Sequence, residues 1–224
     1  MDLRVCEIFY SIQGEGPSVG KPAVFLRLSG CNLRCTWCDS KFTWEQLPFS
    51  KIADVVKEIK KYPVKHLIIT GGEPTMQQEG IVELLKKLKG YTVELETNGS
   101  IPLKIGKMFN QINCSPKLES SGNKPYKLQI LPSEKYQSKR SNVKGQMSKV
   151  IYKFVIGKKS DLNEMKEYCE KYKIPKDRTY LMPLGVTKET IGKTSAWLIE
   201  TCKKEGYNFS PRLHIMIWGN KRAT

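Results

Sequence analysis

No run of apolar residues in this chain approaches the length that crosses a bilayer, and its opening residues, MDLRVCEIFYS, lack the long apolar region of a secretion signal. The expectation is a cytoplasmic protein with no membrane partner. Acidic residues are scarce, 22 against 38 Lys and Arg, for a formal net charge of +16. Such a balance permits attraction to RNA, nucleotides or acidic partners. The lysines are spread along the chain and form no single stripe, so a solubilising surface is the better reading and nucleic acid is not expected. Apolar content is a modest 39% but falls in blocks, which argues against disorder. Seven cysteines are an odd number for a disulfide framework, and an intracellular chain keeps its thiols reduced. No internal repeat and no second domain is visible; 224 residues suit one domain with a sizeable core.

What is present is a concentrated motif. Ser29 to Ser40 reads SGCNLRCTWCDS, with Cys31, Cys35 and Cys38 in the spacing C-x3-C-x2-C. A structural zinc takes four protein ligands, whereas a reactive metal keeps a position open. Thiolates also hold iron–sulfur clusters, and three of them on a four-iron cluster would leave one iron free. Arg34 is placed to offset thiolate charge and donate hydrogen bonds. Trp37 offers an aromatic plane beside the metal. A zinc knuckle with a borrowed fourth ligand and a set of buried free thiols remain as alternatives. Cys6, Cys114, Cys169 and Cys202 are scattered and read as core thiols.

The rest of the chain has a βαβα rhythm. Residues 3–10 and 22–29 alternate as strands, and the second runs directly into the cysteine loop. Arg27 shares a face with Phe25 and Ser29, opposite Val24, Leu26 and Leu28. Ile52, Val55, Val56 and Ile59 form a helical stripe, as do Ile81, Leu84, Leu85 and Leu88, stopped by Gly90. Strands are predicted at 66–70, ending in GGEP, at 92–96, ending in ETNGS, and at 111–114, ending in SPK. A Lys/Ser/Gly-rich loop or insertion, partly mobile, is expected near 118–149, with a short apolar patch at 128–131. Then follow a strand at 150–156, a helix begun by Ser160, a strand at 179–182, a helix at 187–205 and a closing strand at 212–218. The fold class is α/β, a single-domain partial (β/α) TIM-like barrel of about six mostly parallel strands, with its chemistry at the strand C-termini.

C-x3-C-x-Φ-C, with Φ aromatic, resembles the signature of the radical S-adenosylmethionine (SAM) superfamily, and GGEP at the following strand end strengthens the likeness. The resemblance implies a [4Fe–4S] cluster on Cys31, Cys35 and Cys38, whose open iron is chelated by the methionine moiety. One electron then cleaves the sulfonium to a 5′-deoxyadenosyl radical. It further implies SAM contacts at Trp37, Gly72, Glu73, Asn98, Ser115, Pro116 and Lys117. An external electron donor of flavodoxin or ferredoxin type goes with this chemistry.

SIQGEGP ahead of the cysteines narrows the likeness. Together with LHIMIWGNKR near the end, it resembles the 7-carboxy-7-deazaguanine synthase family, over most of the chain except 118–149. Members convert 6-carboxy-5,6,7,8-tetrahydropterin to a deazapurine with loss of ammonia, feeding queuosine or archaeosine precursors. On this resemblance Ile12, Gln13, Gly14 and Glu15 match the pterin edge, Arg27 takes the carboxylate, and Thr70, His214 on the last strand and Thr224 complete the substrate pocket. Ser40 binds Mg²⁺ through its hydroxyl. A homodimer is also implied. Two rivals are an activase that installs a glycyl radical on a partner enzyme and a basic zinc-knuckle RNA-binding module.

Overall fold

Alternation along PAVFLRL organises the computed structural model, which describes residues 2–132 and 149–224. Strand β2 (Pro22–Leu28) buries Val24, Leu26 and Leu28 in the hydrophobic core and turns Phe25 and Arg27 to a central cavity. β1 (Val5–Ile12) lies antiparallel beside it. β3 (His66–Gly71), β4 (Thr92–Thr97), β5 (Gln111–Cys114), β6 (Lys149–Ile156), β7 (Thr179–Pro183) and β8 (Asn208–Phe209) follow in chain order, each parallel to the one before. The result is an eight-stranded, mostly parallel sheet in an unclosed partial barrel, against about six strands expected. β8 has two residues, too few for any alternation to be read.

Helices α1 (Ile52–Ile59), α2 (Gln78–Lys87), α3 (Lys159–Tyr172) and α4 (Lys188–Glu205) contribute their apolar stripes to the same core. Ile52, Val55, Val56 and Ile59 are all buried, as are Ile81, Leu84, Leu85 and Leu88. Each such side chain contributes about 1.5–3 kcal/mol by leaving water. Cys114, Cys169 and Cys202 are buried here too, while Cys6 is half-buried.

Two expectations need correction. Ser160 does not begin α3: the Asp161 carboxylate does, accepting from the N–H groups of Gly157 (2.8 Å) and Lys158 (3.1 Å). A carboxylate satisfies free N–H groups at a helix start and is favoured there by the helix dipole. Residues 212–218 are not a strand. Leu213–Trp218 is a short helix, α5, because the N–H groups of Ile215 and Met216 close a turn on Arg212 O. Met216, Ile217 and Trp218 are all exposed, which a half-buried strand would not allow; six mostly apolar residues cannot distinguish the two by pattern. Of the expected 118–149 loop, 133–148 lie outside the described residues. Residues 118–132 are packed: Leu118, Leu128 and Ile130 are buried, and Tyr152 Oη donates to Ile130 O (2.9 Å). Among the described residues no helix is long and apolar enough to cross a membrane.

Candidate active site

The cysteine loop and the GGEP turn form one interlocked unit at the C-terminal ends of β2 and β3. Gly72 N–H donates to Leu28 O (3.0 Å) and Glu73 N–H to Gly30 O (2.9 Å). A Cβ on Gly72 would come within 2.2 Å of Gly30 O, so only glycine lets the two loops mesh. Cys31, Cys35 and Cys38 all line the cavity. Leu33 N–H donates to Cys31 Sγ (3.4 Å) and Asn123 Nδ2 to Cys35 Sγ (3.1 Å), bonds that stabilise thiolate. Arg34 does not serve the sulfurs as expected. It is exposed and donates to the carbonyls of Cys31 (2.6 Å) and Leu33 (2.8 Å), stiffening the loop.

No three Cys, His, Asp or Glu side chains among the described residues converge as around a single metal ion. Three thiols set round a cavity wall, two with N–H donors, suit a larger thiolate-held cluster. Burial pushes the Cys31 and Cys38 thiols up, so their ionisation calls for a group that brings positive charge, as iron does.

Residues expected at SAM occupy the neighbouring strand ends. Trp37 is held by a hydrogen bond from Nε1 to Ser120 O (2.9 Å), and Lys117 Nζ stands 5.8 Å from its ring. Asn98, Ser115 and Lys117 reach the cavity. Lys117 Nζ donates to Ser115 O and Oγ, both at 2.8 Å. Tyr126 ties the strand ends together: its hydroxyl donates to Asn98 O (2.9 Å) and accepts from Lys117 N–H (3.0 Å). Two expected residues stand apart from the cavity, Pro116 and Glu73. Glu73 is fully buried, and its carboxylate accepts from Thr75 N, Thr75 Oγ1, Thr97 Oγ1 and Asn98 N. That side chain is saturated, so it braces β3 against β4; Gly71 and Gly72 are the members of the turn that meet the cavity.

Across the cavity the QGEG loop is fastened by buried charges. Lys153 on β6 is 1% exposed and donates to Glu15 Oε2 (2.8 Å) and Glu96 Oε2 (2.7 Å). Gln13 Nε2 donates to Glu96 Oε1 (3.3 Å), and Glu15 N–H to Gln13 Oε1 (3.2 Å). Arg212 Nε donates to Glu15 Oε1 (3.3 Å), and its Nη2 pairs with Asp39. Burial opposes ionisation of Glu15, but Lys153, Arg212 and His214 override it and hold that carboxyl well below its usual range. Burial wins at Glu96, which is pushed up despite Lys153. His214 lies on α5, not on a strand as expected. Burial lowers its pKa although Glu15 pulls the other way. A Cβ on Gly14 would fall 2.3 Å from His214 Nδ1, so glycine there makes room for the imidazole. Ile12 lines the same wall.

Arg27 and Thr70 are register partners across β2 and β3, both facing the cavity. Arg27 donates Nε to Glu7 (2.7 Å); its two terminal nitrogens make no hydrogen bond among the described residues. Ser40 Oγ donates to Asp39 Oδ1 (2.8 Å) and lies at the cavity, as does Thr224. Sequence reasoning missed Lys153, Glu96, Arg212, Asp39, Asn123 and Tyr126. Lys153 had a signal, a lone charge inside VIYKFVI at cavity parity; Arg212 and Asn123 had none.

Comparison with known proteins agrees with this geometry. Residues 26–116 match the Radical SAM superfamily model. A 7-carboxy-7-deazaguanine synthase of Pyrobaculum aerophilum is 36% identical, with 99% of this chain and 97% of the relative covered. One from Hyperthermus butylicus is 34% identical over 96% and 92%. The crystal structure of QueE from Escherichia coli superposes with a TM-score of 0.72 at 27% identity, covering 96% of this chain and 95% of that one. SuiB from Streptococcus suis shares the fold, at TM-score 0.51 and 16% identity over 84% of this chain and 52% of its own. An open barrel with a three-cysteine loop meshed into a GGEP turn defines a radical SAM enzyme, which brings a [4Fe–4S] cluster and SAM. Within that class it is a lyase, and the chain belongs to the 7-carboxy-7-deazaguanine synthase family, of deazapurine biosynthesis. Full-length likeness to that family sets aside the activase and zinc-knuckle alternatives.

Proposed function

We propose that the enzyme converts 6-carboxy-5,6,7,8-tetrahydropterin to 7-carboxy-7-deazaguanine with release of ammonia. The carrying observation is Arg27, whose terminal nitrogens make no hydrogen bond among the described residues and stand at the cavity that also receives the three cysteines. A guanidinium fork is the group that fits a carboxylate bidentately. Opposite it, Gln13, Gly14 and Glu15 present an amide, a backbone and a carboxylate to the donor–acceptor edge of a pterin. Thr70 and His214 border the same space, and Thr224 faces it from the tail.

In this reading Cys31, Cys35 and Cys38 hold the cluster, while Gly72, Asn98, Ser115 and Lys117 line the SAM side beside Trp37. When bound, cluster and SAM would supply radical hydrogen-abstraction chemistry. The protein's own part is positioning: fixing the reacting carbon accounts for far more of the rate than any acid or base here. The overall change expels one ammonia and is redox-neutral, so no consumed oxidant is required. Ser40 would hold Mg²⁺ beside the substrate oxygens. Its oxygen suits that ion, and Asp39 next to it is already neutralised by Arg212.

Anaerobic incubation with the carboxypterin, SAM and reductant tests the reading, with the product read by mass spectrometry. Absence of a product lighter by one ammonia would rule the substrate out. Ser40→Ala is expected to weaken the stimulation by Mg²⁺ while keeping the cluster's absorbance; equal stimulation of both proteins would remove Ser40 from the metal site.

A further inference from the structure

The tail after α5 crosses the cavity mouth, and one contact fixes it there. Arg222 Nη2 donates to Glu7 Oε2 (3.1 Å), and its guanidinium carbon lies 3.9 Å from the centre of the Phe42 ring. Glu7 is also the residue whose other oxygen holds Arg27 Nε. One half-buried carboxylate on β1 therefore carries two arginines. Arg27 faces into the cavity, Arg222 spans its rim, and Phe42 is within 5.8 Å of Arg27 as well. Past Arg222 the chain turns back at Ala223, a non-glycine residue with φ of 55°, and Thr224 Oγ1 donates to Lys221 O (3.2 Å). A left-handed alanine is strained and persists only where neighbouring contacts demand it.

We propose that Arg222 is a positioning residue: by clasping Glu7 and Phe42 it closes residues 220–224 over the cavity and couples that closure to the orientation of Arg27. Two observations support this over a casual surface pair. The guanidinium has both an ionic and a stacking partner, which together fix its plane. And Glu7 is shared. With Arg222 in place, part of Glu7's charge is balanced at the rim, so Arg27 is less tightly held and its fork is freer to meet a ligand anion. The second point rests on the substrate reading above, in which that anion is the pterin carboxylate. The closure itself does not.

Hydrogen exchange of the peptide covering 213–224, by mass spectrometry on the full chain with its cluster, tests the clasp. Arg222→Gln is expected to speed exchange in 220–224 by about tenfold, as loss of one exposed ion pair and one cation–π contact would. Arg222→Lys, which keeps charge and loses the stacked plane, should fall between the two. Kinetics on the same preparations should show KM for the carboxypterin raised about tenfold by Arg222→Gln, with the affinity for SAM and the melting temperature unchanged. Exchange at the tail equal to wild type would overturn the proposal, as would faster exchange with KM unmoved. If wild type fails to turn over the carboxypterin at all, the substrate reading falls, and the exchange experiment still decides the clasp.

Discussion

Lys153 and Phe154 are consecutive, equally buried, and do opposite work. Phe154 faces the helices, among Leu, Ile and Val, and its burial stabilises the fold in proportion to the apolar area removed from water. Lys153 faces the cavity and meets two carboxylates. The same division runs round the sheet. Val93 and Leu95 lie in the core while Glu94 and Glu96 point the other way; Ile112 lies in the core while Asn113 does not. A paired buried charge adds little net stability, because desolvation offsets attraction. It does fix geometry, since each group is held by named partners. One face of the sheet thus builds the core, and the other builds the cavity wall.

The largest contrast is among cysteines. Cys35→Ala should abolish the visible absorbance of the reconstituted cluster. Cys114→Ala, on the core face, should leave that spectrum intact and cost only about 1 kcal/mol of stability. Equal loss of absorbance in both, with the fold preserved, would break the comparison.

Next comes the adjacent pair. Lys153→Met leaves Glu15 and Glu96 facing each other without their ammonium, at a cost of about 3–5 kcal/mol. It should also cut kcat/KM for the carboxypterin by at least about a hundredfold, through misplacement of the QGEG loop. Phe154→Ala should cost a similar 3–5 kcal/mol through its cavity. Well below its melting temperature its KM should match wild type; a shifted KM there would mean the two faces are not separable. Arg27→Lys keeps charge and loses the fork, so KM for the carboxypterin should rise about tenfold while uncoupled cleavage of SAM persists.

The smallest effect concerns acid. Burial would raise the pKa of Glu94, but hydrogen bonds from His66 and Ser18, with Asn113, hold it below the usual carboxylate range. Gln111 donates to it as well. A carboxyl depressed in the folded state contributes stability that is present above its unfolded pKa and lost as pH falls through the folded value. Between about pH 5 and pH 3, the wild type should therefore lose more melting temperature than Glu94→Gln. Parallel curves would remove Glu94 from the acid response.

Much of this was legible in the sequence for a physical reason. The outer face obeys period two on strands and period 3.6 on helices, so Val24, Leu26, Leu28 and the α1 and α2 stripes could be assigned from spacing alone. The cysteine loop and GGEP are local, and their chemistry is written in neighbouring residues. The charge network is not local. Glu15 meets Lys153 and Arg212 from far along the chain, and nothing near Arg212 tells of Asp39. The helix at 213–218 failed for a related cause: its first N–H goes to Gly14 O, and a contact with so distant a residue leaves no trace in six mostly apolar letters. Glu73 was assigned to the cofactor by its motif, whereas its four hydrogen bonds lie among strand ends.

The bond from Leu213 N–H to Gly14 O, with Arg212 on Glu15, sets an order of events in the making of the protein. A ribosome delivers the cysteine loop early and Arg212 late. Throughout that interval the nascent chain can carry the thiols without a finished pocket, since Asp39 and Glu15 still lack their guanidinium. Contacts of such sequence separation close last and slowly. The three cysteines are thus in place well before the far wall of the cavity they line. Completion of the cavity thereby waits on a residue far along the chain from the cysteines.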